Sequence, residues 1–369
     1  MKSLILLFLL CISDLQAMTN KEYSDWWSSY RDNPNLPIGL KAMEDDFINR
    51  GSLVYSSNFW NGFNKLNIEQ LTQYGFANFK QTVAGNYFTW KVSIDHPYAS
   101  NLKNLVPNLD VVFTSEELHR KHLLWTPQES LNYNIITQYF LNFMLNAGWE
   151  DYIASIEEPL VGNPPYSIYN GKRVSQDIFN SLLEYLSVVY HCPMDNISTI
   201  IEVGAGYGRT AFCFLTFNPD KKYVIVDFPP ALYVSQTYLS AVFKDKKVMK
   251  YRSFESFSEI SEEYAEADIV FITPEQLSKI PDHSAELFLA IDCLHEMKAE
   301  RVAHYFNEAE RLCSYFYYKC WVNTYVGPDN VYHTEDSYPV RNNWKKIFKQ
   351  PCAIPSGFFH SMYNMNDLD

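Results

Sequence analysis

Two short stretches hold the residue types and spacings best suited to chemistry. The first is Ile200-Ile201-Glu202-Val203-Gly204-Ala205-Gly206-Tyr207-Gly208-Arg209. It reads as a buried strand that ends in a glycine-rich turn and opens a helix. Twenty-one residues after Gly206, the apolar run Tyr223-Val224-Ile225-Val226 ends on Asp227. A glycine turn after one strand, with an acid at the tip of the next, is how open α/β sheets hold a nucleoside. The glycines let the backbone approach the ligand because no Cβ intervenes, and the acid accepts hydrogen bonds from the ribose hydroxyls. The second stretch is Leu294-His295-Glu296-Met297, which follows the apolar run 287–293. At the carboxyl end of such a strand, where ligands gather, His295 is placed to act as a general base titrating around pH 6.5. Glu296 would orient it or bind the acceptor. The plainer reading of His295 is a cap on the helix that begins near Lys298.

Glycine spacing separates the nucleosides. A dinucleotide fingerprint needs G-x-G-x-x-G, which would put its third glycine at 209; that position is Arg209, and the third glycine is Gly208. This counts against a nicotinamide-dependent oxidoreductase. The pattern E-x-G-x-G-x-G, led by Glu202, resembles the first motif of class I S-adenosylmethionine-dependent methyltransferases. That resemblance implies cofactor contacts from Gly204, Gly206 and Gly208, ribose contacts from Asp227, and a reach from Glu202 to the methionine amino group. Gln276, just after the apolar run 268–273, would read the adenine edge.

Composition narrows the partners. A formal net charge of -13 would repel phosphate backbones, so nucleic-acid substrates are excluded. Hydrophobic residues make up 47% of the 369, enough for a full core. The aromatic excess, 27 Tyr and 25 Phe, suits either a carbohydrate or nucleoside pocket or aromatic packing of helices. Seven cysteines show neither CxxC pairs nor zinc-ligand spacing and read as reduced and structural. His295-Glu296 does not continue as HExxH, and no carboxylate cluster demands a metal. Residues 1–17 have the layout of a short secretory signal, too short to span a membrane; alternatively, translation starts at Met18. Supply of the cofactor argues for the cytoplasm, and a working signal would argue for secretion.

Residues 18–195 read as mostly helical, an acceptor-binding or interaction region. One helix is marked by Thr126, Pro127 and Glu129 at its start and Gly148 past its end. Asn170-Gly171 predicts a hairpin turn, and Ser175 caps a helix over 176–190. Residues 196–369 alternate strands and helices as a doubly wound sheet does. Strands are expected at 199–203, 223–227, 248–252, 268–273, 287–293 and 316–323, and an antiparallel pair within 347–363.

From about Glu158 to Tyr363 the chain resembles the bacterial sugar O-methyltransferase family. The likeness rests on Gly162-Asn163-Pro164, Ser175-Gln176-Asp177, the 201–209 turn, Val226-Asp227-Phe228-Pro229-Pro230-Ala231-Leu232-Tyr233, Pro274-Glu275-Gln276-Leu277, Leu294-His295-Glu296-Met297, Tyr318-Lys319-Cys320-Trp321 and Phe358-Phe359-His360. It implies a Rossmann-like class I methyltransferase sheet, S-adenosylmethionine, and a sugar, nucleotide-sugar or glycan acceptor, with the oligomeric state open. Asp292-Cys293 stands where the resemblance implies small serines, and Cys320 where it implies Gln. The rival reading is a non-catalytic binding protein that keeps the fold.

Overall fold

The computed structural model describes residues 16–86, 91–113 and 122–366. The reading of residues 1–17 as a signal lies almost wholly outside them.

Before residue 196 helices dominate: α1 (Asn20–Tyr30), α2 (Ile38–Asn49), α3 (Asn58–Tyr74), α4 (Pro97–Leu105), α5 (Pro127–Asn146), α6 (Glu150–Ser155) and α7 (Gln176–Val189). A hairpin of β1 (Ser167–Tyr169) and β2 (Lys172–Val174) precedes α7. The local signals explain these starts. Thr126 accepts the Glu129 N–H, and the Glu129 side chain closes the capping box on α5. Asn170 and Gly171 take φ 50° and 77°, as a two-residue hairpin turn requires.

The rest alternates: β3 (Thr199–Val203), α8 (Arg209–Phe217), β4 (Lys222–Val226), α9 (Ala231–Val242), β5 (Val248–Met249), α10 (Ser261–Glu266), β6 (Ile269–Ile272), α11 (Pro274–Leu277), β7 (Leu287–Ile291), α12 (Ala299–Leu312), β8 (Tyr315–Trp321), β9 (Asn323–Val326), β10 (Val331–Thr334), β11 (Lys345–Pro351) and β12 (Phe358–Asn364). An eight-stranded sheet runs β5-β6-β4-β3-β7-β8-β12-β11. It is parallel through β8, and β12 and β11 close it as the expected antiparallel edge. From β3 the chain moves outward through β4 to β5 at the edge, returns to place β6 between them, then crosses to β7 on the other side of β3. The order therefore reverses between β3 and β7, which is where open sheets leave a ligand crevice.

The central strands are apolar throughout because both sheet faces are covered. Alternate residues go to opposite faces. Ile200, Ile225, Phe271 and Leu289 join one core with Tyr23, Phe47, Phe79 and Phe140 of the helical region. Ile201, Val224, Val270 and Phe288 join the other core with Phe306 of α12 and Phe316 of β8. The first core thus runs without a break across residue 195.

The sequence reading extended β8 to residue 323 and missed the hairpin of β9 and β10. These strands are four residues each and alternate exposed with buried, a weak signal beside the long apolar runs. The turn Gly327-Pro328-Asp329-Asn330 was its readable mark. Asp329 accepts the N–H groups of Asn58 and Phe59, both at 2.9 Å, and so ties the start of α3 to the hairpin.

Candidate active site

Val203 ends β3, and Gly204, Gly206 and Gly208 follow with φ +69°, +58° and +87°. Their surroundings give them different work. A Cβ on Gly204 would lie 2.5 Å from Cβ of Cys293, so the turn presses on the loop after β7. A Cβ on Gly208 would lie 2.9 Å from the Leu239 side chain; Gly208 serves the packing of α8 on α9 and does not line the cavity. A Cβ on Gly206 would meet nothing within 4 Å, and this glycine forms open wall. Past β4, Asp227 accepts the Gly206 N–H through Oδ2 at 2.9 Å and the Phe228 N–H through Oδ1 at 2.8 Å. Burial pushes its carboxyl up to about 7, against those two backbone bonds.

A cavity of about 750 Å³ lies over the carboxyl ends of β3, β4 and β7. Glu202, Gly206, Asp227 and Asp292 line its sheet side. Phe59, Trp60, Phe63 and Asn64 of α3 line it from the N-terminal region. Glu202 is buried and accepts the Tyr223 hydroxyl at 2.8 Å; burial pushes its carboxyl up to about 7.

His295 and Glu296 sit in one turn of 3-10 helix, Leu294–Glu296, and both line the same cavity. The helix-cap reading of His295 does not hold: Lys298 is the N-cap of α12, with no side-chain cap bond. The imidazole instead stands edge-on to Trp321 and Phe358, which pack on each other, and it is 4% exposed. Its Nδ1 has no partner, and its Nε2 lies 3.7 Å from Oε1 of Glu296. Burial, with His333 and Lys319 nearby, lowers its pKa to about 3. The ring is therefore neutral at every working pH, which corrects the expectation of titration near 6.5. Glu296 accepts the Trp60 indole N–H at 3.0 Å. Burial, with Asp292 adding to it, pushes the Glu296 carboxyl up to about 8.

Gln276 lies outside the cavity lining. Its Oε1 accepts the Thr273 N–H at 3.0 Å and its Nε2 donates to the Arg252 carbonyl at 2.8 Å. Both ends of the amide serve the fold, closing the capping box of α11, and neither is left to read a base edge.

Sequence reasoning missed a cluster of four charges at the sheet side of the cavity, of which Arg209 and Asp292 line it. Arg209 donates to both oxygens of Glu184, at 2.5 and 2.9 Å, and Lys319 donates to Glu184 Oε1 at 2.8 Å. Both cations also reach Oδ2 of Asp292, Lys319 at 3.1 Å and Arg209 at 3.4 Å. The signal was a lone charge in an apolar run: Glu184 between Leu183 and Tyr185, and Lys319 within Tyr315–Trp321. Charges buried in such runs are seldom without partners.

The strand order, the antiparallel edge and the turn between β3 and α8 make this a Rossmann-like class I methyltransferase sheet with a mostly helical N-terminal region. No protein-family model matches the sequence, and no curated protein matches it. Solved structures to which the chain is similar include a Pyrococcus horikoshii OT3 protein, at 13% identity and TM-score 0.36 over 50% of this chain and 90% of that one. Another is the mitomycin 7-O-methyltransferase, at 12% identity and TM-score 0.35 over 50% of this chain and 54% of that one. A third is a SAM-dependent methyltransferase from Aquifex aeolicus, at 11% identity and TM-score 0.31 over 46% of this chain and 82% of that one. Among the described residues, no helix is long and apolar enough to cross a membrane.

Proposed function

We propose that the protein is an S-adenosylmethionine-dependent O-methyltransferase acting on a hydroxyl of a sugar or glycan precursor, nucleotide sugars included. One observation carries the reading. Asp227, His295 and Glu296 line a single cavity across the point where the strand order reverses, which suits an acid for the ribose and a base with its acid for the acceptor.

The residues present fit the cofactor. Gly206 leaves the turn open, Asp227 keeps acceptor capacity beyond its two backbone bonds, and the cavity has the volume of a small-molecule site. When bound, S-adenosylmethionine supplies an electrophilic sulfonium methyl. The chain's own part is to hold the acceptor in line with it, which contributes roughly 7–11 kcal/mol in favourable cases. Trp60 and Phe63 supply flat apolar surface for a sugar ring, and Asn64 an amide for its hydroxyls. The resemblance over residues 158–363 supports a sugar over other alcohols. His295, neutral, is the base that takes the hydroxyl proton. Glu296, once ionised, stabilises the imidazolium from beside Nε2. Such a base contributes about 10²–10⁴-fold. Supply of the cofactor favours a cytoplasmic site of action.

A thermal-shift series tests this. S-adenosylmethionine and S-adenosylhomocysteine are expected to raise the melting temperature, and a nucleotide sugar to raise it further once either is bound. Stabilisation by NAD and by neither S-adenosyl compound would contradict the reading.

A further inference from the structure

Lys21, Arg209, Lys298 and Arg301 are the cations of the cavity lining. Lys21 pairs with Asp25 at 2.9 Å, and Arg209 is held by Glu184 and Asp292. Among the described residues, neither Lys298 nor Arg301 forms an ion pair with a carboxylate. The chain has 43 acidic residues against 30 basic ones, so counter-ions are not scarce. The two cations are also neighbours. Lys298 is the N-cap of α12, Arg301 stands in its first turn, and the Arg301 N–H donates to the Lys298 carbonyl at 2.9 Å. Residues so spaced meet on one face of a helix, where like charges are unfavourable. An anion bound between them removes that cost.

The chemistry of the pair indicates which anion. The Arg301 guanidinium carbon lies 4.1 Å from the centre of the Tyr55 ring, and Nη2 donates to the Val54 carbonyl at 3.1 Å. Stacking fixes the plane of the fork and leaves its other N–H groups for oxyanion oxygens. Lys298 is exposed and adds a point charge on a flexible stem. The carboxylates of the cavity are engaged elsewhere. Glu202 accepts the Tyr223 hydroxyl, Asp227 the Gly206 N–H, Asp292 the Lys319 ammonium, Glu296 the Trp60 indole and Asp329 the start of α3. Glu300, the other acid of the lining, is exposed. Two adjacent positive charges match a phosphate group, roughly -1.5 to -2 at neutral pH, better than a single carboxylate. Met297 alone separates Lys298 from the turn that carries His295 and Glu296.

We propose that Lys298 and Arg301 bind a phosphate group of the acceptor, which makes the substrate a phosphorylated sugar, either a monoester or a diphosphate ester. The phosphate at the start of α12 then decides which hydroxyl of the ring reaches His295. This rests on the sugar-acceptor reading of the same cavity. One phosphate needs only this local pair, so the net charge of -13 does not oppose it as it opposes a nucleic-acid backbone.

The test is calorimetric titration of the full chain with inorganic phosphate, inorganic pyrophosphate and S-adenosylhomocysteine. Wild type is expected to bind both anions, pyrophosphate the more tightly. That order assigns a diphosphate ester, and the reverse order a monoester. Lys298→Met and Arg301→Met each keep an apolar stem and remove one charge. Each is expected to weaken pyrophosphate by at least about tenfold and S-adenosylhomocysteine by less than about twofold. Lys298→Met serves if Arg301→Met does not fold, since Lys298 makes no side-chain cap bond. Lys21→Met removes a lining charge that Asp25 already neutralises, and it is expected to leave pyrophosphate affinity at its wild-type value. Wild-type protein that binds S-adenosylhomocysteine but neither anion overturns the proposal and leaves the methyltransferase reading standing. So do Lys298 and Arg301 variants that keep wild-type affinity for pyrophosphate, that weaken it no more than Lys21→Met does, or that weaken S-adenosylhomocysteine equally. Wild-type protein that binds pyrophosphate but no S-adenosylhomocysteine overturns the methyltransferase reading, and with it the assignment of the phosphate to a methyl acceptor.

Discussion

At the scale of single residues, the cavity is lined by carboxyls whose burial raises their pKa and by one imidazole whose burial lowers it. That pairing gives the pH dependence its sign. His295, at about 3, is neutral throughout and adds no limb near neutrality. Glu296, at about 8, is protonated below that value and cannot then stabilise an imidazolium. Turnover is therefore expected to rise with pH through about 8. In Glu296→Gln that limb is expected to vanish, and in His295→Ala turnover is expected to fall by about 10²–10⁴-fold. A wild-type limb near pH 6.5 that survives in Glu296→Gln would remove Glu296 from this role. That Asp227, Gly206, His295 and Glu296 gather at one cavity was legible because each stands beside a strong apolar run. Gln276 misled for the same reason: its place after a strand was right, but only the fold reveals that both ends of its amide are engaged. Asp292 was legible as a departure but its ion pairs were not, since their donors Lys319 and Arg209 come from β8 and α8, other elements of the chain.

At the scale of elements, the strands of the sheet and their order around β3 were readable because continuous apolar runs admit few other states. The β9–β10 hairpin was not, since its inner face packs on Phe59 and Phe63 of α3, a long-range contact. The hairpin also reaches the turn that carries His295 and Glu296: His333 Nε2 lies 2.6 Å from the Met297 carbonyl. Together with Asp329 on α3, it fixes the helix that carries Trp60 against the turn that carries Glu296. Another packing feature invisible in sequence is Glu44 of α2. It is fully buried, accepts the Tyr23 hydroxyl of α1 through Oε1 at 2.9 Å, and leaves Oε2 without a partner. Burial pushes its carboxyl from 4.5 up to about 8. Between those values the folded state holds a proton that the unfolded state has lost. The contribution of Glu44 to stability is therefore fully present below about pH 4.5 and is lost as pH rises to about 8. Glu44→Gln, which cannot ionise, is expected to melt higher than wild type at pH 8, with the gap closing toward pH 5. Equal melting temperatures across that range would show that Glu44 titrates normally.

At the scale of the whole molecule, the helical region and the sheet share one apolar core and one cavity. Buried polar contacts join them as well. Lys80 pairs with Glu158 and donates to the Tyr238 hydroxyl at 3.2 Å, and the Tyr207 hydroxyl donates to Asp177 at 2.5 Å. Tyr207 belongs to the glycine turn, so the helical region braces that wall of the cavity as well as roofing it. The central claim is that this wall holds an S-adenosyl group by its ribose. Calorimetric titration of S-adenosylhomocysteine into wild type and Asp227→Ala tests it most directly. Loss of a charged acceptor of hydroxyl donors removes roughly 1.5–3 kcal/mol per bond. The expected result is one equivalent bound by wild type and affinity at least about tenfold weaker in a folded Asp227→Ala protein. Wild-type protein that takes up no S-adenosylhomocysteine, or a folded mutant that binds it as tightly, would contradict the account.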